Sequence, residues 1–184
     1  MWKEYAHFEM RNGCLSRARL AWLNSLQCCP HVGELWKEHI QMEEHVGNFQ
    51  DIGLIFEQWM KEQPSKEGWL SYIEFELRYS RVESARGIFE RFVEWSPKNC
   101  YAWIEYAALE RSLGEIERAR SIFERAFDQP KLEMADLLWK AYVDFSKSCL
   151  GEVSDVDQLL RKRRTELEAK DFPWMMDLKD TPPA

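Results

Sequence analysis

The sequence predicts an all-α fold, an α-α superhelix of about five helix-turn-helix repeats. Two recurring phrases support this prediction. The first begins with tryptophan and returns after 34, 33, 34 and 36 residues. The second, Ala-Arg-x-Ile-Phe-Glu-Arg, is clearest at residues 85–91 and 119–125. A period near 34 residues is the length of one helix-turn-helix unit in a solenoid. The repeats begin near Trp2, Trp36, Trp69, Trp103 and Trp139.

The tryptophan-led phrase predicts the first helix of each repeat, helix A. At about 100° per residue, positions 0, 3, 4 and 6 counted from the tryptophan share one face. These positions hold Trp, then Tyr or His, then Ala, Ile or Val, then Phe, Met or Leu. Positions 1, 2 and 5 are mostly polar, so the helix is amphipathic. His39 replaces the tyrosine in the second repeat and is therefore expected in the core.

Glycine and proline mark the ends of the two helices. A residue suited to the left-handed conformation follows helix A, because that conformation ends many helices. These residues are Gly13, Gly47, Ser80, Gly114 and Gly151. Helix B follows and stops at a proline; these are Pro30, Pro64, Pro97 and Pro130. In helix B, small residues are expected where helices approach closely, at Ala18, Ala85 and Ala119. The large core residues of helix B are expected to be Trp22, Phe56, Phe89 and Phe123.

A glutamate recurs at position 7, inside the apolar arc of helix A, as Glu9, Glu43, Glu76 and Glu110. A buried carboxylate needs hydrogen-bond donors, and an arginine recurs at position 17, in helix B. Pairing within a repeat predicts Glu9–Arg19, Glu76–Arg86 and Glu110–Arg120. If each arginine pairs instead with the glutamate of the next repeat, two of the four pairs lack one partner. Pairing within a repeat is favoured because the fifth repeat loses both members, with Ser146 and Asp157 in their places.

The two ends of the chain differ from the middle. The repeats are predicted to span residues 1–170, with a tail at 171–184 that caps the stack or is disordered. The apolar cluster of Phe172, Trp174, Met175 and Met176 is expected to cover the stack or to dock on a partner. At the other end, Trp2 belongs to the core face of the first helix, and no earlier helix covers it. Association is therefore expected there, by self-association or with missing neighbouring repeats.

Composition argues against several classes of protein. The net charge of −7 disfavours phosphate binding, so direct RNA contact is not expected. Five cysteines without CxxC spacing indicate reduced thiols. Cys28, Cys29, His31, His39 and His45 lack the ordered spacing of a zinc site. No phosphate loop, HExxH or nucleophile-elbow motif is present, so no catalytic, cofactor-binding or metal-binding residue is predicted.

Two charged features are candidate contact surfaces. The basic run at residues 161–164 could be a nuclear-localisation or RNA-touching patch, but acidic neighbours favour a solvated helix face. The polar side of helix A is acid-leaning and suits protein partners better than RNA. Its residues are Lys3, Glu4, Glu38, Glu74, Glu105 and Asp144. The sequence singles out none of them as a binding hot spot.

The two phrases together resemble the HAT (half-a-TPR) repeat of RNA-processing proteins, and within it the crooked-neck group of pre-mRNA splicing factors. Residues 42–64, 71–79 and 85–97 carry the resemblance. It implies a right-handed, TPR-like solenoid and a nuclear, non-enzymatic protein–protein interaction scaffold in the spliceosome, associated with the NineTeen complex. Implied partners are other splicing-factor proteins, with no small-molecule substrate. No apolar run approaches the about 20 residues needed to span a bilayer, so no membrane association is expected. Family members have many more repeats than this chain.

Three other functions remain open. HAT repeats also occur in mRNA 3′-end cleavage and ribosomal RNA processing. A direct single-stranded RNA binder would need a basic groove, and positions 2 and 5 do not supply one. A TPR-type chaperone adaptor would need a recurring basic clamp, which the sequence lacks.

Overall fold

The computed structural model describes residues 2–129 and 132–149, together with Arg161 and Thr165. Over these residues it contains nine long α-helices and no strand beyond one isolated bridge between Asn99 and Glu133. The helices are α1 Trp2–Arg11, α2 Leu15–Cys28, α3 Gly33–Val46, α4 Phe49–Glu62, α5 Lys66–Arg78, α6 Val82–Trp95, α7 Cys100–Ser112, α8 Ile116–Phe127 and α9 Ala135–Cys149. None of these described helices is long and apolar enough to cross a bilayer.

The odd-numbered helices hold the tryptophan-led phrase, and the even-numbered ones hold helix B. The predicted all-α repeat fold is therefore confirmed, with both helices of four repeats and helix A of the fifth. Gly151, Pro130, Asp157 and the apolar cluster of the tail lie outside the described residues. So does the basic run, except for Arg161, which is helical and exposed. The predicted domain boundary near residue 170 stays a prediction.

The chain forms two compact units, residues 1–88 and 89–184, whose boundary falls within α6. In the first unit, α2 contacts both α1 and α3, and α4 contacts both α3 and α5. In the second unit, α7, α8 and α9 contact one another. In each unit, a helix B therefore lies against the helix A of its own repeat and against the helix A that follows.

Helix A ends in the same way in all four complete repeats. The predicted left-handed residue has a positive φ in each, at Gly13, Gly47, Ser80 and Gly114. The next backbone N–H then donates a 2.9 Å hydrogen bond to the carbonyl of the position-7 glutamate, which is the pattern of a Schellman motif. A Cβ added at Gly13, Gly47 or Gly114 would meet no atom within 4 Å. The backbone conformation, rather than space, therefore favours glycine.

Packed aromatic rings join successive repeats. The large residue of each helix B packs on position 3 of the following helix A. The ring centroids are 6.3 Å apart in Trp22–His39, 4.5 Å in Phe56–Tyr72, 5.0 Å in Phe89–Tyr106 and 5.4 Å in Phe123–Tyr142. Ala18, Ala85 and Ala119 are fully buried, as predicted. His39 is also buried, so its expected place in the core is confirmed.

The proline and the tryptophan of the period also meet. The indole Nε1 of Trp36 donates to the carbonyl oxygen of Pro30 at 2.9 Å, and Trp103 does the same to Pro97. Each of these prolines ends one helix B, and each of these tryptophans begins the core face of the next helix A. This hydrogen bond therefore fixes the position at which the loop after helix B joins the next helix A.

Candidate interaction surfaces

The best-defined polar contact between repeats joins α2 to α3. Arg19 donates from Nε and Nη2 to the two carboxylate oxygens of Glu43, each at 2.7 Å. Asn48 adds a 2.9 Å hydrogen bond to the same carboxylate. Burial would raise the pKa of Glu43, but the hydrogen bonds from Arg19 and Asn48 outweigh it, so the pKa is lowered. Glu43 is thus held as a buried, ionised group.

The predicted pairing of Glu9 with Arg19 within one repeat is wrong. Arg19 bonds the glutamate of the next repeat because α2 lies against both α1 and α3. Glu9 instead accepts a hydrogen bond from Tyr5, which raises the pKa of that phenol. In the third repeat, Arg86 donates to Glu83 at 2.6 Å. Among the position-17 arginines, Arg19 therefore links two repeats, because it bonds Glu43 of the next repeat.

Pairing between successive repeats leaves two junctions that lack one partner, the arginine in one and the glutamate in the other. Both junctions contain buried polar atoms without hydrogen bonds among the described residues. Gly53 stands where α4 would carry the arginine, and Glu76 Oε2 in α5 has no hydrogen-bond partner among the described residues. Arg81 Nη1 lies 3.7 Å from that oxygen. Ser146 replaces the glutamate in α9, and both its Oγ and the Nε of Arg120 are buried without a hydrogen bond in the described chain. Each mismatched junction thus leaves at least one buried polar atom without a hydrogen bond among the described residues.

A second polar contact uses the glutamate that follows the helix-B phenylalanine. The Tyr106 hydroxyl donates to Glu90 at 2.9 Å, and Tyr72 donates to Glu57 at 3.3 Å. Burial and the bond to Glu90 both raise the pKa of Tyr106. Arg125 donates two hydrogen bonds to Glu90, at 2.9 and 2.8 Å, and these lower the pKa of the carboxyl. The repeat pattern contains the signal for this contact, because tyrosine at position 3 and glutamate at position 21 both recur. The pairing of these two positions was not predicted.

An exposed aromatic surface lies on α1. Trp2, Tyr5 and Phe8 have exposed fractions of 38%, 45% and 54%. They occupy positions 0, 3 and 6 of the first repeat, where the second and third repeats have buried residues. The predicted exposure of apolar surface at this end is confirmed, and the predicted association stays a prediction. We call Trp2, Tyr5 and Phe8 the α1 outer face.

The predicted polar contact surface is confirmed as exposed in five of its six positions. Lys3, Glu4, Glu74, Glu105 and Asp144 are exposed. The expectation for Glu38 is wrong, because this residue is buried. Lys3 donates to its carboxylate, and His7 Nε2 lies 3.4 Å from it. Glu38 therefore joins α1 to α3 and is not available to a partner.

The described residues contain no cluster of three or more His, Cys, Asp or Glu side chains able to hold a metal ion. All five cysteines have free thiols. Burial raises the pKa of the Cys100 thiol to about 12, which suppresses its thiolate.

Comparison with known proteins agrees with this architecture. The family model for the pre-mRNA-splicing factor Syf1/CRNKL1 C-terminal HAT repeat matches residues 1–170. Crooked neck-like protein 1 of Mus musculus is 42% identical over 150 residues, which cover 79% of this chain and 22% of the relative. The Homo sapiens protein of the same name is 41% identical over 79% of this chain and 18% of its own length.

A fungal relative gives the same result. Pre-mRNA-splicing factor clf-1 of Neurospora crassa is 33% identical over 148 residues, covering 80% of this chain and 16% of the relative. The chain thus spans about a fifth of the length of the curated relatives it matches. On the evidence of its repeat positions, its helix junctions and these matches, the chain belongs to the crooked-neck-type HAT-repeat family of pre-mRNA-splicing factors.

Proposed function

We propose that this chain is a non-enzymatic protein–protein interaction scaffold of pre-mRNA splicing. The observation that carries the proposal is its 42% identity to crooked neck-like protein 1 across consecutive HAT repeats. The partners are other splicing-factor proteins of the spliceosome, in the assembly associated with the NineTeen complex, and the site of action is the nucleus.

The described surface supports recognition of proteins. Glu74, Glu105 and Asp144 are exposed on the polar side of three successive helices A. Each of these acidic side chains repels nucleic-acid phosphates and attracts basic protein segments. Exposed rings of the α1 outer face add the amphipathic aromatic groups that are enriched at protein interfaces. A scaffold needs only such surfaces and no reactive centre.

Affinity purification followed by mass spectrometry tests the proposal. We expect the tagged 184-residue chain to recover splicing proteins from nuclear extract, and its fluorescent fusion to concentrate in the nucleus. Recovery of 3′-end cleavage or ribosomal RNA-processing factors instead would support the alternative HAT pathways. RNA binding that falls steeply with salt in a filter assay would support a direct RNA binder.

A charge-reversal pair makes the test specific to the surface. The variant Glu105→Lys/Asp144→Lys should lose partners that the unmodified chain recovers, because it reverses two exposed acidic charges on the polar sides of α7 and α9, which contact each other. The matched control is Glu62→Lys/Glu117→Lys, which reverses two exposed glutamates on helices B. Equal recovery by both variants would show that the polar side of helix A is not the contact surface.

A further inference from the structure

The junction between α8 and α9 holds two buried hydrogen-bond donors that have no acceptor in the described part of the chain. Ser146 of α9 is 0% exposed, and its Oγ makes no hydrogen bond there. The Nε of Arg120 in α8 is buried in the same way. A buried donor without an acceptor is unfavourable, so native proteins rarely keep one unsatisfied. Two such donors at one junction point to a group that accepts from both.

The hydroxyl of Ser146 also differs from those of other helical serines. Ser25, Ser112 and Ser148 each donate to a carbonyl oxygen of their own helix, at 2.7 or 2.8 Å. This is the usual bond of a serine inside a helix. Ser146 does not make it, although the carbonyl groups one turn earlier in α9 are described. Its hydroxyl is therefore free to donate into the junction with α8.

The corresponding junction between α2 and α3 shows which group is lost. There the Nε of Arg19 donates to a carboxylate oxygen of Glu43 at 2.7 Å. Arg120 has the repeat position of Arg19, and Ser146 has that of Glu43. A serine side chain ends at the atom where the Cγ of glutamate would be. The replacement therefore removes a carboxylate group from the α8–α9 junction and leaves its arginine.

The helices on either side of this position are held as in the other junction. Phe123, three residues after the arginine, packs on Tyr142 and Phe145, with ring centroids 5.4 and 5.3 Å apart. The rings of Trp22 and His39 stack at the equivalent place beside the arginine–glutamate pair of α2 and α3. The shared ring contact indicates that position 17 of α8 faces position 7 of α9, even though the glutamate is replaced.

The charge of the arginine is only partly balanced. Glu124 Oε1 lies 3.8 Å from the Nε of Arg120, which is too far for a hydrogen bond. The Arg120 side chain is 31% exposed, whereas its Nε is buried. A small anion can therefore approach along the exposed part of this side chain, on the side away from Glu124.

We propose that the α8–α9 junction binds a free carboxylate anion of the size of formate, in the place of the missing glutamate carboxylate. One oxygen accepts a hydrogen bond from the Nε of Arg120, and the other accepts one from the Oγ of Ser146. Because Ser146 is fully buried, the site admits a small anion and excludes a carboxylate carried on a protein chain. The bound anion links α8 to α9. The inference goes beyond the role in splicing and does not rest on it.

Nuclear magnetic resonance of the isotope-labelled full chain tests the site directly. Sodium formate replaces sodium chloride at constant ionic strength, and we expect a saturable shift of the Arg120 Nε–H resonance, which an Arg120→Lys variant assigns. The Nε–H of Arg19, which already bonds Glu43, should not move. Sodium benzoate carries the same charged group on a larger body and should have no effect. A response that does not saturate, or that is equal for formate and benzoate, would overturn the proposal.

Variants of Ser146 locate the anion. Ser146→Ala removes one donor and should weaken formate binding about tenfold, the effect of losing one hydrogen bond to a charged group. Ser146→Glu supplies a carboxylate from the chain, so the Arg120 Nε–H should be shifted without formate and should no longer respond to it. The control Ser121→Ala removes an exposed hydroxyl of α8 and should change nothing. Unchanged formate binding in Ser146→Ala would place the anion elsewhere and refute the assignment.

Thermal unfolding gives a second measurement. Formate at about tenfold its dissociation constant should raise the unfolding midpoint of the unmodified chain by about 3–6 °C relative to chloride. Ser146→Glu should lose this rise, because its own carboxylate fills the site. A rise that persists in Ser146→Glu would be a general effect of the salt and would contradict the proposal. No rise in the unmodified chain would mean that water alone satisfies the two donors, and would also overturn it.

Discussion

Helices α1 and α5 share Trp, Tyr, Phe and Glu at positions 0, 3, 6 and 7 of WKEYAHFE and WLSYIEFE, yet the corresponding rings differ in burial. Phe8 of α1 is 54% exposed, whereas Phe75 of α5, at the same position, is 0% exposed. The difference lies in α4, whose Phe56 packs on Tyr72 and Phe75 of α5. The apolar face of helix A is thus completed by the preceding helix B, so burial belongs to the junction between repeats.

The same substitution in the two helices should give very different results. We expect Phe75→Ala to lower the free energy of unfolding by about 3–5 kcal/mol, because it leaves a cavity among buried rings. Phe8→Ala should change it by less than about 1 kcal/mol, because the ring is exposed. Urea denaturation followed by circular dichroism measures both. Similar losses in the two variants would show that α1 is covered in solution or that α4 does not protect α5.

A polar contact should contribute less than a buried ring. Arg19→Ala leaves the buried carboxylate of Glu43 with Asn48 as its remaining hydrogen-bond donor. We expect the free energy of unfolding to fall by about 2–4 kcal/mol. This is near the lower end for a broken buried ion pair, because Arg19 is partly exposed. The control Arg17→Ala removes an exposed arginine of the same helix and should change stability by less than about 0.5 kcal/mol. A loss from Arg19→Ala no larger than the control's would argue against the pair.

His39 gives α3 a pH dependence that tyrosine at the same position lacks. Burial lowers the pKa of His39 to about 4, further lowered by Arg19 and partly offset by Glu43. The unfolded chain, with a histidine pKa of about 6.5, therefore binds more protons than the folded chain between these values. Stability is lost as pH falls from about 6.5 towards about 4, by about 2 kcal/mol between pH 7 and 5.

The variant His39→Tyr tests this pH dependence. It restores the usual residue of the repeat. The loss of folding stability between pH 7 and 5 should therefore be smaller by about 2 kcal/mol than in the unmodified chain. Thermal unfolding at a series of pH values measures the difference, and the other titrating groups cancel in the comparison. The same pH dependence in both proteins would show that folding does not lower the pKa of His39.

Periodicity predicted which residues are buried, and could not predict which of them meet. Placing each phrase on a helix identified the core role of His39 and the left-handed residue after helix A, and the structure confirms both. The partner of Arg19 was wrong because a period describes one helix at a time. Glu38 was expected to be exposed for the same reason, since Lys3 and His7 of another repeat cover it. Contacts between repeats depend on how neighbouring helices are placed in space, which the period of one helix does not give.

The smallest expected effect concerns the junction that lacks its arginine. Gly53→Arg would supply Glu76 with the donor that Arg19 gives Glu43, and a Cβ at Gly53 would meet only the Tyr72 hydroxyl, at 3.9 Å. Gly53→Ala is the control, because both changes gain helix propensity. We expect the arginine variant to exceed the alanine variant in stability by about 1 kcal/mol. That advantage should vanish in a Glu76→Gln background, and an advantage that survives there would come from something other than the pair.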